Sequence, residues 1–492
     1  MTSSSTQRIA LDLYAVAALA GVALVSLALT PFYSPDQRVT LLAHGGLIIA
    51  MCGMYLLLVR LAPKRPIHLS AVMLLFGAMQ PVALLLATLL QGDVTYQSIV
   101  GITSHHRDTM QMAIVSLLFF ASFVIGVITV SIGDNHPSPD WRTLSGQISP
   151  FFINAAILTS LFLAIARLLL LFNLVPADSV ISYVLRLLLG YFLPVTFFLG
   201  VGLRRKLRSA RIYSVIVGLI YLLVLASGSR ADAIVPGVFA FLGAMIAAPL
   251  SRRRVVISLV SGLAVVTTAM FVSGLLRGDH QGRTGNAGIE RLNQVGARFE
   301  AQEDVSGGLV DETIRRYLRN SNHAVLTLIP SLVPFERDGL DNVPFEVGRT
   351  LLPGLNVSGQ SSDDDLPRNW MLNDLGFLVN WKTSVELSLL ADAWYRGGFV
   401  SIVTIGFVLG LILQLVERLI YARMRANAEW QFLLLFGIAT VWMIEGKDFV
   451  FGFHTLIYNL TAGALFIGVV RILSAIVEQP TRATHRRRYP AV

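Results

Sequence analysis

Long, uninterrupted apolar runs recur from one end of this 492-residue chain to the other, and they limit its fold more than any other feature. A helix needs about 20 apolar residues to cross a hydrocarbon core roughly 30 Å thick. In lipid every backbone amide must also be bonded internally, which leaves only helices and closed barrels. The runs here have helical length: 11–30, 41–60, 69–91, 112–133, 150–174, 182–203, 212–229, 232–250, 255–276, 398–416, 431–446 and 455–476. They predict an all-α, polytopic membrane protein with about twelve transmembrane helices. Composition agrees, because 54% hydrophobic against 14% charged residues and a mean hydropathy of +0.66 exclude an ordinary soluble domain. No small-residue cleavage motif follows the first run, which therefore reads as a retained span.

Charge gives the array a direction. Lys and Arg accumulate in short cytoplasmic loops, and the clusters RLAPKR (60–65), RRKLRSAR (204–211), SRRR (251–254), ERLIYARMR (417–425) and RATHRRR (482–488) alternate with the runs. Twelve spans threaded from a cytoplasmic N-terminus place all five on one side and both termini inside. The net charge of +9 is then an orientation signal, and no nucleic-acid partner is expected. Cys52, the one cysteine, lies within the second run and has no intrachain partner for a disulfide.

The connections are short with one exception. Residues 1–276 hold spans one to nine, 277–397 form a polar excursion on the outer face, 398–476 hold spans ten to twelve, and 477–492 form a basic cytoplasmic tail. A connection that long is usually functional or unstructured. Helical spacing of apolar residues in 288–302 and 310–333 predicts short helices within it, whereas 357–369 reads as a loop or lid.

Arginines on the outer side are the chemical anomaly. The threading puts Arg230 at the turn between spans seven and eight, within LASGSRADAIVPG (225–237), and Arg277 just after span nine. Arg167 falls in the outer half of span five and Arg186 just inside span six, while Arg349 and Arg396 are also extracytoplasmic. Arginine near the bilayer centre costs about 2.5 to 3.5 kcal/mol on the insertion scale. A diphosphate would offset that, since guanidinium forks bind phosphate oxygens in bidentate fashion. Snorkelling to lipid headgroups, or pairing of Arg167 with an internal carboxylate, is the bland alternative.

SGSRADAIVPGVFAFLGAM (227–245), ADAWYRGGFVSIVTIGFVLGLILQLVER (391–418) and the intervening NHAVLTLIPSLVPFERDGLDNVPFEVGRTLLPGL (322–355) resemble segments of Wzy-type oligosaccharide repeat-unit polymerases. Asp392 stands where that family carries a glutamate. The resemblance implies a GT-C-like glycosyltransferase of the bacterial inner membrane, with its active site facing the periplasm. Such an enzyme moves a glycan from undecaprenyl diphosphate onto the next lipid-linked repeat unit in surface polysaccharide synthesis. It implies no cofactor and no metal; the partners expected are the undecaprenyl-diphosphate-linked oligosaccharide, the lipid bilayer and a chain-length regulator protein.

The chemistry can be written on these residues. Breaking a sugar C1–O bond to diphosphate develops negative charge on the leaving group, which fixed cations stabilise. Arg230 and Arg277 are the expected clamp, with Arg186 and Arg167 deeper and Arg349 and Arg396 next. His323, Glu386 and Asp392 are the candidate bases or orienting groups for the acceptor hydroxyl, His323 for its suitable pKa; the two carboxylates could equally be helix caps. The DDD run (363–365) reads as a solvated turn rather than a metal site. A flippase or transporter of lipid-linked oligosaccharide, or an O-antigen ligase, would also need outward cations; transporters commonly show two related halves, and none is visible here.

Overall fold

The ends of the helices follow local sequence rules. The computed structural model describes residues 4–61, 68–91, 96–97, 103–104, 106–131, 148–176, 179–226, 230–246, 343, 389–424, 428–445 and 449–486. Thirteen α-helices of more than one turn lie among them: α1 (Ser4–Leu29), α2 (Pro35–Leu61), α3 (Leu69–Gln91), α4 (His106–Ser131), α5 (Pro150–Leu171), α6 (Val180–Phe192), α7 (Phe197–Arg204), α8 (Arg208–Ala226), α9 (Arg230–Ile246), α10 (Leu389–Tyr395), α11 (Gly398–Met424), α12 (Leu433–Glu445) and α13 (Phe449–Arg486). The strands described are a two-residue antiparallel pair, Tyr96–Gln97 and Thr103–Ser104.

Ser149 caps α5 by accepting from the Phe152 amide at 3.1 Å, with Pro150 at the first helical position. Ser179 caps α6 in the same way through the Ser182 amide. At the far end of α5, Asn173 turns left-handed (φ 51°), while the amides of Asn173 and Leu174 bond back to Leu170 and Leu169, a Schellman stop. Lys206 (φ 59°) ends α7 likewise, through Lys206 to Leu203 and Leu207 to Gly202.

The protein is a multi-pass membrane protein. Eight helices among the described residues are long and apolar enough to span: 35–61, 69–86, 110–131, 150–171, 180–204, 208–225, 398–423 and 452–476; the apolar helices 16–32 and 233–244 are shorter. Of the twelve apolar runs, 255–276 lies outside the described residues, and a helix occupies most of the described part of each of the other eleven. Run 182–203 differs in being broken. Pro194 supplies no amide hydrogen, and a 3-10 turn at Leu193–Thr196 separates α6 from α7. The Thr196 hydroxyl donates to Leu193 O at 2.9 Å and lies 3.3 Å from Pro236 O, so carbonyls at the break are answered by a side chain.

The helices belong to two compact units. Unit 1 comprises 1–140, 314–426 and 437–458; unit 2 comprises 141–313, 427–436 and 459–492. In unit 1 the closest packing is between α4 and α11. Gly406 and Gly410, a GxxxG pair, sit against the backbone of Phe119 and Phe123, and Gly126 sits against Phe407 and Leu411. A Cβ on any of these glycines would run into main-chain atoms of the other helix, so the seam exists because it lacks side chains. Arg418 closes it by donating to Val130 O at 2.7 Å. Residues 119, 123 and 130 thus face 406, 410 and 418, which makes the two helices parallel.

Unit 2 repeats the device. Gly200 of α7 abuts Ala240 of α9, and Gly243 abuts Phe197 and Val201. Beside this contact Phe152, Phe198, Phe432 and Phe466 cluster with ring centroids 4.3 to 6.5 Å apart. Helices α5 and α8 also run parallel: Ser209 donates to Asn154 Oδ1 at 2.8 Å near their starts, and Arg167 and Tyr221 lie in electrostatic reach near their ends.

Candidate functional site

Unit 2 holds three of the sequence-predicted arginines that the structure describes, Arg167, Arg186 and Arg230, while Arg396 belongs to unit 1. From the Ser209–Asn154 bond, Arg167 lies thirteen residues along α5 and Tyr221 twelve along α8 (167 minus 154; 221 minus 209). At 1.5 Å per residue both stand about 18 to 20 Å from that bond, at one depth. Arg186, on α6, also bears electrostatically on Arg167. Arg167 is half-buried and Arg186 exposed. Arg230 opens α9, the helix that follows the C-terminal end of α8. The chain thus returns three arginines, Arg167, Arg186 and Arg230, to the end of unit 2 opposite the basic turn at 204–208.

Tyr221 is the residue that sequence reasoning missed. It is 8% exposed, and its hydroxyl has no hydrogen-bond partner among the described residues. Within the run GLIYLLVLA it carries no local signal of a site; only the pairing of α8 with α5 sets it beside Arg167.

Asp392 and Arg396 have a different surrounding. The expectation gave them separate roles, a base and a phosphate ligand; the structure joins them. Arg396 Nε donates to Asp392 Oδ1 at 2.9 Å, and the two side chains are 0% and 1% exposed. The other carboxylate oxygen, Oδ2, accepts from the Phe449 amide at 2.9 Å, the first residue of α13. Asp392 therefore caps a helix, that of α13 rather than its own, because α10 ends beside the start of α13 and burial of either charge demands a partner. Trp394 is 3% exposed and packs edge-on against Phe399 at 5.0 Å.

A second carboxylate in unit 1 is used in the same way. Glu417 of α11, fully buried, accepts from the Leu69 amide at the start of α3 at 2.9 Å, and its other oxygen is 3.1 Å from His68 Nδ1. His44 is buried, and neither ring nitrogen has a hydrogen-bond partner among the described residues. Among the described residues no three His, Cys, Asp or Glu side chains are grouped as a metal site would need. His323, Glu386, Arg277, Arg349 and the 363–365 aspartates lie outside the described residues.

Comparison of the chain with protein-family models, with curated proteins and with solved structures finds no match.

Proposed function

We propose that the protein is a membrane glycosyltransferase of the repeat-unit polymerase kind, transferring an undecaprenyl-diphosphate-linked glycan to the next lipid-linked repeat unit at the outer face of a bacterial inner membrane. The observation that carries the reading is the convergence of Arg167 and Arg186, with Arg230 at the start of α9, on one end of unit 2, beside a buried tyrosine and opposite the basic turn. Cations held at a membrane boundary suit a diphosphate leaving group. As C1–O cleaves, the charge that develops on the departing phosphate meets arginines already in place. The acceptor hydroxyl attacks C1 and gives up its proton to a base. His323 and Glu386 are assigned that part ahead of Asp392, whose oxygens are occupied by Arg396 and Phe449.

Parallel packing supports a twelve-span thread. Helices α4 and α11 point the same way, so an odd number of crossings separates them. The described chain between them offers four: α5, α6 with α7, α8 and α9. With α9, a shorter apolar helix, taken as a crossing, the apolar run 255–276 supplies the fifth. The polar segment 277–397 then lies on the side where α11 begins, which is also the side of Arg167, Arg186 and Arg230. A chain-length regulator is the protein partner proposed.

Cells in which Arg186→Ala or Arg230→Ala replaces the native chain should lose long-chain glycan and retain single repeat units on the lipid at normal protein levels. Undiminished polymer from both variants would refute the clamp, and repeat units trapped on the cytoplasmic leaflet would indicate a transporter.

A further inference from the structure

Pro81 lies inside α3, twelve residues after Leu69 and ten before Gln91 (81 minus 69; 91 minus 81). At 1.5 Å per residue that is about 15 to 18 Å from either end, deep within the span. Proline has no amide hydrogen, so the Gly77 carbonyl one turn earlier loses its ordinary helical partner. The same turn carries Gln80, a half-buried amide in the apolar run LLFGAMQPVALLL. Across from it on α4 is Ser116, 4% exposed. Gly77, Gln80, Pro81 and Ser116 line one cavity of about 10 Å³ within unit 1, with Met73 of α3 and Leu389 of α10 beside them.

That volume is about the room one water molecule needs. No hydrogen bond among the described residues engages the Gln80 amide or the Ser116 hydroxyl. Buried hydroxyls on the same two helices behave differently: Thr88 donates to Leu84 O at 2.9 Å and Ser122 to Phe119 O at 2.8 Å, each within its own helix. Polar groups left open inside a bilayer are costly, because lipid offers neither donor nor acceptor. A cavity lined by apolar groups alone stays dry, whereas three polar groups around room for one molecule suit a water. No carboxylate lines it, which favours a neutral guest over a hard cation.

We propose that this cavity binds one buried water molecule, which donates to the Gly77 carbonyl and bonds to the Ser116 hydroxyl and the Gln80 amide, joining α3 to α4 beside α10. The water stands in for the amide hydrogen that Pro81 lacks. It explains why two polar side chains face each other deep in an apolar pair of helices, and it is independent of the arginine reading above.

The test uses the full-length protein in phosphatidylcholine nanodiscs and X-ray radiolysis, which turns ordered water into hydroxyl radicals where it sits. Met73, 0% exposed, is the reporter beside the cavity; Met51, 2% exposed and outside its lining, is the control. X-rays should oxidise Met73 well above Met51, whereas radicals generated from peroxide in bulk solvent should spare both. Ser116→Val, which puts methyl groups into the cavity, and Gln80→Leu should each bring Met73 down to the level of Met51. Pro81→Ala gives the Gly77 carbonyl an amide in a residue that favours helix, and should lower Met73 oxidation without loss of Tm. Equal oxidation of Met73 and Met51 in the wild type overturns the proposal, because the cavity is then dry. Oxidation of Met73 by bulk radicals also overturns it, marking an open path to solvent. Undiminished oxidation in all three variants overturns the assignment of these groups as the partners. A Met73 signal lost in sodium chloride and restored in choline chloride gives the cavity to a sodium ion and overturns the water.

Discussion

Buried charge in unit 1 and the cationic end of unit 2 are handled in opposite ways. Asp392 and Glu417 each meet a basic side chain, Arg396 or His68, and the first amide of a neighbouring helix. Those carboxylates are closed circuits that fasten α10 to α13 and α11 to α3. At the end of unit 2, by contrast, Arg167 has Arg186 and Tyr221 in electrostatic reach, and the Tyr221 hydroxyl has no hydrogen-bond partner among the described residues. The difference separates two classes of outer-side residue that a sequence presents alike, as Arg396 and Arg186 show.

The comparison breaks most readily at Asp392. Asp392→Ala strands a buried guanidinium and uncaps α13, and should destabilise the protein by about 3 to 5 kcal/mol, seen as a large fall in Tm and in folded yield. Adding Arg396→Leu should recover part of the loss, since the uncompensated charge goes with it. A stable Asp392→Ala protein that loses only transfer activity would move Asp392 into the site and erase the contrast. A smaller effect is expected at the α4–α11 seam. Gly410→Ala inserts a methyl against the Phe123 carbonyl, and the separation it forces should lower stability by about 1 to 3 kcal/mol, measured as Tm with diphosphate affinity retained.

The smallest effect sharpens the contrast inside unit 2. Glu429 lies 3.2 Å from Arg471 but is half-buried, and desolvation raises its carboxyl above the usual range while Arg471 opposes the shift. A raised folded-state value means that the protonated form suits the fold. That stability is complete below the ordinary carboxylate value of about 4.3 and lost as pH rises through the raised one. Glu429→Gln should abolish this slope, leaving Tm at neutral pH unchanged or slightly higher, by no more than about 0.5 kcal/mol. A clear drop at neutral pH would show the pair to be as closed as those of unit 1.

Length and hydrophobicity made the spans legible, since a bilayer leaves little choice about what an apolar run of twenty residues does. The break at Pro194 and the spacing of Gly406 and Gly410 were visible as residues, though not as a hinge or a seam, because both depend on what packs opposite. Asp392 and Arg396 carried a readable signal: they are four apart in a helical stretch, the spacing of neighbours on one face. What no local pattern holds is the pairing of Glu417 with His68 and Leu69, some 349 residues away, or of Tyr221 with Arg167 on another helix. Such sites are made by register between helices, and the register is set by bonds like that of Ser209 to Asn154.

The α4–α11 seam also has a consequence in time. Its two sides, joined by the bond from Arg418 to Val130, are 288 residues apart in the chain. At about 5 to 20 residues per second of ribosomal synthesis, α4 is made roughly 15 to 60 s before its partner exists, with its Gly126 face turned to lipid or to some temporary neighbour. Unit 1 is therefore completed only after α11 is made, and a nascent chain stopped ahead of residue 398 carries an uncovered Gly126 face of α4 for the membrane quality-control machinery to find.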